Sequence, residues 1–156
     1  MSPDARSPRS AALITGVGRE INIAAGITRR LADDGWDLAL SYWRPYDGVL
    51  PPSWSDEDPN RLAEELRGRG AAVLLLPGDL AEPSEPDRLV NEAGAAIGPL
   101  RGMVLSHAQS IDSAILDTTV ESFDRHMIVN ARASWQLIAI ALEVSKQAVH
   151  KKYGRS

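Results

Sequence analysis

From Ala11 onward the chain alternates short apolar runs with stretches whose apolar positions recur every three or four residues, which predicts βαβ units around a parallel sheet. The runs are Ala11 to Thr15, Asp37 to Trp43, Ala72 to Leu76 and Gly102 to Ser106. Each is brief and rich in aliphatic residues, as a strand covered on both faces must be. Between them the sequence predicts a helix over about Asn22 to Asp34, closed by Gly35. A second begins with Asp58 as N-cap and Pro59 at the first helical position, and ends near Gly70. A third covers about Pro86 to Ile97 and is terminated by Gly98 and Pro99. The last helix opens with Thr118 and Glu121 at capping-box spacing and sets Val120, Phe123, Met127, Ala131, Trp135, Ile138 and Leu142 on one stripe. Between the second run and the second helix, Pro45, Gly48, Pro51 and Pro52 predict an irregular loop from Arg44 to Glu57.

At 156 residues and 44% apolar composition, one domain with one core is expected. The net charge of -4, with no long Lys/Arg run, argues against a nucleic-acid backbone or an anionic membrane as partner. There is no cysteine, which excludes disulfides, thiol nucleophiles and Cys-based metal sites and is compatible with a reducing cytoplasm, the expected location. Residues 1–10 are polar, carry two prolines and read as a disordered leader; residues 146–156 read as a polar basic tail, the frayed end of the last helix. His107, His126 and His150 are too scattered for a metal triad. Trp36, Trp43, Trp54 and Trp135 are not spaced as a platform for stacking bases, and Asp33, Asp34 and Asp56 to Asp58 read as solvated or capping groups.

The chemistry lies directly after the first predicted strand, in Thr15-Gly16-Val17-Gly18-Arg19-Glu20-Ile21-Asn22-Ile23. In such a strand-turn-helix, small residues let the backbone approach a pyrophosphate, and the helix N-terminus offers free N–H groups and partial positive charge. Gly16 and Gly18 are present, while Ile21 holds the third glycine position of the strict pattern. Ala11 to Tyr42 resembles the short-chain dehydrogenase/reductase family. Gly16-Val17 followed by Asn22-Ile23-Ala24-Ala25-Gly26-Ile27 is most similar to the glycine-poor loop of its enoyl-thioester reductase branch, with Asn22 standing for a serine able to bond a phosphate or cap the helix.

Three further segments fall in the family's order. Gly78-Asp79-Leu80 resembles the residues that flank the adenine ring. Ser106-His107-Ala108-Gln109 lies where the family carries Asn-Asn-Ala-Gly, and only Ala108 matches. Asn130, within Val129 to Ala133, is similar to the Asn that organises a proton-relay water, in a form closer to the 3-oxoacyl reductase branch. The resemblance spans about Ala11 to Ala139 and implies an α/β, Rossmann-like parallel sheet of about four strands, order 3-2-1-4, with helices on both faces. The NAD(P)-binding domain is expected over residues 11–145. The dinucleotide subsite it implies comprises Thr15, Gly16, Gly18, Arg19, Asn22, Ile23, Arg44, Asp79, Leu80, His107 and Ala108, with Asn130 at the relay position. An acidic residue at the end of the second strand selects NAD, whereas Ser41-Tyr42-Trp43-Arg44 with Arg19 favours NADP over NAD.

The family also needs a Tyr to give a proton and a Lys four residues later to lower its pKa. The tyrosines are Tyr42, Tyr46 and Tyr153 and the lysines Lys146, Lys151 and Lys152, so this pair is absent, and Leu142 stands where the tyrosine would fall before Ser145-Lys146. The family's later strands are not represented either, so a C-terminally shortened domain is expected, with an open edge on the fourth strand. Three functions fit: a carbonyl or 3-oxoacyl thioester reductase lineage, poorly active as this chain; a non-catalytic NAD(P)-binding or dimerising module; and an enoyl-thioester reductase relative. The apolar stripe of the last helix needs a cover, so a homo-oligomer through that helix is expected.

Overall fold

The computed structural model of the chain describes residues 9–47 and 59–153, with side chains described outside 46–47 and 144–153. The elements run β1 (Ser10–Thr15), α1 (Ile23–Asp33), β2 (Trp36–Tyr42), α2 (Arg44–Asp47), α3 (Pro59–Gly68), β3 (Val73–Pro77), α4 (Glu85–Ile97), β4 (Leu100–Leu105), α5 (Val120–His126), a π-helical segment (Met127–Arg132) and α6 (Ala133–Tyr153). The four strands form one parallel sheet in the order β3-β2-β1-β4, as expected. The leader through Pro8, the loop with Gly48, Pro51, Pro52, Trp54, Asp56 and Glu57, and the Asp58 cap lie outside the described residues.

Alternation along the strands builds a core on each face of the sheet. Ala12 and Ile14 of β1 and Leu38 and Leu40 of β2 meet Ala24, Ala25 and Ala32 of α1 and Leu62 and Leu66 of α3. Their neighbours Leu13 and Ala39 point the other way, onto Leu89, Val90 and Ala93 of α4 and Ala133 and Leu137 of α6. Burial on both sides explains why β1 and β2 are so uniformly apolar. On one face, α1 and α3 are tied by Arg29, whose Nη2 donates to Glu65 at 2.8 Å. At the end of α1, Gly35 with φ 85° turns the chain into β2.

Three expectations need correction. β1 begins one residue earlier than predicted, at Ser10, which pairs with Trp36. Arg44 to Asp47 is not loop but a single helical turn, because Pro45 falls in its first turn, where the missing N–H has no partner to lose. The cap of α5 is Thr119, whose hydroxyl accepts the Ser122 N–H at 3.2 Å; Thr118 belongs to the preceding turn, bonding Ala114 O and Ser113 instead. The basic stretch from Lys146, read as a helix end, continues α6 as far as Tyr153.

The last helix is also not one regular α-helix. Between α5 and α6 the Ala133 N–H reaches back to Ile128 O, a five-residue step that inserts an extra residue into the spiral. The insertion changes which side of α6 meets the sheet. Val129, Ala133 and Leu137 are buried, whereas Val120 and Trp135 of the predicted stripe are 71% and 68% exposed. Leu137→Ala is therefore expected to cost about 2–5 kcal/mol in denaturant unfolding, and Trp135→Ala to stay within about 0.5 kcal/mol. The opposite ranking would show that α6 packs through its other face.

Candidate functional site

All four strands point their carboxyl ends at one cavity of about 720 Å³, the end at which open parallel sheets bind ligands. Its floor is the turn after β1. Gly16 takes φ 80°, and a Cβ there would lie 2.5 Å from Ser106 O and 2.7 Å from His107 N. Only a residue without a side chain lets β1 and the end of β4 come this close. The Val17 N–H donates to Ser41 O at 3.0 Å, which pins the turn to β2 as well. Asn22 then closes it: Oδ1 accepts the Ala25 N–H at 2.7 Å as the cap of α1, and Nδ2 donates to Gly16 O at 3.1 Å. The first turn of α1 carries no acidic residue, so nothing there offsets its positive end.

Gly16, Gly18, Arg19, Asn22, Ile23, Asp79, Leu80, His107 and Ala108 all line the cavity, so nine residues foreseen from sequence are brought together. Thr15 is fully buried beneath them. Arg44 starts α2 and is not among the lining residues. Nor is Asn130, which bridges to the backbone of Gln109: Oδ1 accepts its N–H at 2.7 Å and Nδ2 donates to its carbonyl at 2.9 Å. Asn130 thus secures the segment leaving β4. Sequence reasoning missed Arg125, whose Nη2 donates to Asp79 Oδ2 at 3.0 Å, and it left Ser41, Tyr42, Gly78, Gln109, Ser110 and Val129 unassigned to the wall. Ser41, Tyr42, Gly78, Gln109 and Val129 fall inside the segments that the sequence singles out, whereas Arg125 and Ser110 had no such signal.

His107 lines the cavity but spends both ring nitrogens on the protein. Val129 O can only accept, so the contact at 3.1 Å requires the proton on Nε2. In the neutral ring Nδ1 is then bare and accepts from the Thr15 hydroxyl at 2.6 Å, a shorter contact than that hydroxyl makes to Val104 O at 3.4 Å, while the same oxygen accepts the Ser106 N–H at 3.2 Å. The π-helical step makes this possible, because Ala133 bonds Ile128 and leaves Val129 O for the imidazole. Burial holds the His107 pKa below its ordinary value, against the opposing pull of the Val129 bond.

Among the described residues no three His, Asp or Glu side chains are placed to hold a metal, and no helix is long and apolar enough to cross a membrane. A glycine turn pressed against a neighbouring strand end, a capped helix behind it and a cavity across the sheet define an α/β protein of Rossmann type. A family model described as enoyl-(acyl carrier protein) reductase matches residues 16–151. Short-chain dehydrogenase/reductase eriH of Hericium erinaceus is 31% identical over 126 residues, which are 81% of this chain and 46% of that protein. Among solved structures, a blue fluorescent protein from a metagenomic library, in complex with NADPH, is 28% identical with a TM-score of 0.72, over 86% of this chain and 50% of that one. A 3-oxoacyl-[acyl-carrier protein] reductase from Brucella melitensis is 27% identical with a TM-score of 0.71, over 88% and 51%. The chain belongs to the short-chain dehydrogenase/reductase family. It spans about half the length of the relatives it matches.

Two outcomes follow from this geometry. Gly16→Ala, with left-handed strain and a backbone clash together, is expected to cost at least about 2 kcal/mol, and an alanine tolerated at full stability would refute the close approach. Because the neutral imidazole is favoured in the folded state, stability from His107 is complete above its ordinary pKa of about 6.5 and is lost as pH falls through the depressed value. Wild type should lose stability more steeply than His107→Asn between about pH 6.5 and pH 5. Parallel curves would contradict the assignment.

Proposed function

We propose that the chain holds NADP(H), and NAD(H) less tightly, in the cavity at the strand ends, as the nucleotide-binding half of an oxidoreductase. The observation that carries this reading is the side-chain-free approach of Gly16 to the end of β4, with the uncompensated N-terminus of α1 beside it. Backbone N–H groups between Gly18 and Ile23 would receive the diphosphate, the Val17 N–H being held by Ser41 O. Asp79 and Leu80 would flank the base, with Ala108 on the nicotinamide side of the wall. The end of β2 carries Ser41, Tyr42 and Trp43 and no carboxylate, which removes the usual obstacle to a 2′-phosphate; Arg19 on the cavity wall and Arg44 nearby supply positive charge.

Bound nicotinamide would supply a hydride, and the similar structure from Brucella melitensis is named a reductase. This chain's own residues bind and orient it. Asn130 would fix the loop after β4, so that Ala108 and Gln109 keep their place on the wall. No tyrosine in the sequence has a lysine four residues on, so the residues of this chain include no proton-donating pair of that kind. A carbonyl or 3-oxoacyl thioester reductase is the lineage best supported, and the enoyl reductase reading is favoured by the matched family description and by the Asn22-Ile23-Ala24 loop.

A homo-oligomer forms part of the same proposal. Val120, Phe123, Met127, Trp135, Ile138 and Leu142 are all at least half exposed along the last helix, and β4 is the outermost strand of the described sheet. A cytoplasmic setting agrees with the cysteine-free composition.

Calorimetric titration should give saturable NADPH binding, weakened about tenfold for NADH and brought towards parity by Arg19→Ala with Arg44→Ala. Folded protein that takes up neither nucleotide sinks the reading. Equal affinity for the two sinks only the phosphate preference.

A further inference from the structure

The ring of His107 meets three groups of the protein. Nε2 lies 3.1 Å from Val129 O and 3.2 Å from Ser134 Oγ, and Nδ1 lies 2.6 Å from Thr15 Oγ1. The Thr15 oxygen in turn has Nδ1, the Ser106 N–H at 3.2 Å and Val104 O at 3.4 Å around it. A hydroxyl offers one hydrogen and two lone pairs, so the protonation state of the ring decides how they are used. Beside the neutral ring the hydrogen goes to Nδ1, and the contact to Val104 O is idle. Beside a protonated ring the hydrogen turns to Val104 O, and the two lone pairs accept Nδ1–H and the Ser106 N–H. All the neighbours of the oxygen are then in use, and no heavy atom has to move.

What the protonated state lacks is a counter-charge. The charged side chains on the cavity wall are Arg19 of the turn, Asp79 of the β3–α4 loop and Arg125 of α5, and the last two are paired with each other. Arg132, of the π-helical segment that packs on the ring, reaches Ala81 O, and α6 offers the ring the neutral Ser134. Among the described residues no carboxylate touches the imidazole, and burial disfavours its charge. An anion at the glycine turn would lie beside it. A Cβ on Gly16 would be 2.7 Å from His107 N, and Thr15, which holds the ring, directly precedes Gly16.

Resting on the dinucleotide reading above, we propose that the cavity is a proton-linked anion site. Occupation by a diphosphate draws a proton from the medium onto His107 Nδ1, and the Thr15 hydroxyl turns to Val104 O to receive it. Linkage makes the effect reciprocal, so the anion binds more tightly as the medium becomes more acid. The gain is absent where free and bound protein both carry a neutral ring, and complete where both carry a charged one.

NAD+ is the probe, because both its phosphates are diesters that keep their charge between about pH 8 and pH 5, whereas the 2′-phosphate of NADP+ titrates in that range. Calorimetry of wild type in two buffers of different ionisation enthalpy should show net proton uptake on binding at about pH 6, with affinity about five- to tenfold higher at about pH 5.5 than at about pH 8. His107→Asn should bind without uptake and change less than about twofold over the same range. Thr15→Ser, which keeps the hydroxyl, should behave as wild type, and Thr15→Val should lose most of the uptake. Proton uptake is the readout that a merely structural role would leave unchanged. Wild-type affinity that is flat with pH, or full uptake in His107→Asn, overturns the proposal. If the variants do not fold, nitrogen NMR of the wild-type imidazoles decides: the His107 midpoint must rise when NAD+ is bound, and an unmoved midpoint overturns the proposal too. Folded wild type that binds no NAD+ overturns the dinucleotide reading as well, a result distinct from binding without proton uptake, which overturns this proposal alone.

Discussion

The whole site depends on how closely the turn after β1 approaches the end of β4. At Gly16 the backbone is left-handed and lies within contact of Ser106 and His107, so the distance between two strand ends is set by the absence of one side chain. Everything else in the cavity is placed relative to that contact. Asn22 ties the far side of the turn to its beginning while capping α1, so the turn and the start of the helix keep a fixed relation at the cavity floor. A turn of this kind has no chemistry of its own; it is a shaped group of N–H donors, which is what an anion requires.

The second constraint is polar and runs across the sheet. The Thr15 hydroxyl, the His107 imidazole and the Val129 carbonyl form a chain from the end of β1, through the end of β4, to the π-helical segment. Thr15 is fully buried and Val129 nearly so, so a part of this network left without its partner is costly. The irregular step in the last helix thereby has a physical cause: the carbonyl it frees is the one His107 uses. The same helix holds the β3–α4 loop through Arg125, Arg132 and Gln136 and the β4–α5 segment through Asn130. Two walls of the cavity are thus braced by one element.

How far the sequence revealed this differs from part to part. The strands and α1, α3 and α4 were legible because burial on both faces of a parallel sheet writes uninterrupted apolar runs, and because Pro59, Gly35 and Gly98 mark helix ends by local geometry. The turn at Gly16 to Asn22 was legible for the same reason: its constraint is local. The π-helical step was not, since it depends on His107 finding Val129 O, a contact between residues distant in sequence. Arg125 was hidden likewise, because its partner Asp79 lies on another element. The apolar stripe from Val120 to Leu142 was read correctly as unpartnered, but the residues that pack α6 onto the sheet, Ala133 and Leu137, follow a phase that the inserted residue had shifted.

The central claim is that the amides after β1 hold a dinucleotide diphosphate, and backbone amide NMR of labelled protein titrated with NADPH tests it at the atoms concerned. The account predicts that the largest shift changes fall on the amides from Gly16 to Ile23, with smaller ones at Gly78 to Leu80. Saturable binding whose shift changes leave that turn unmoved, and cluster instead beside the outer edge of β4 around Pro99 to Met103, would contradict it.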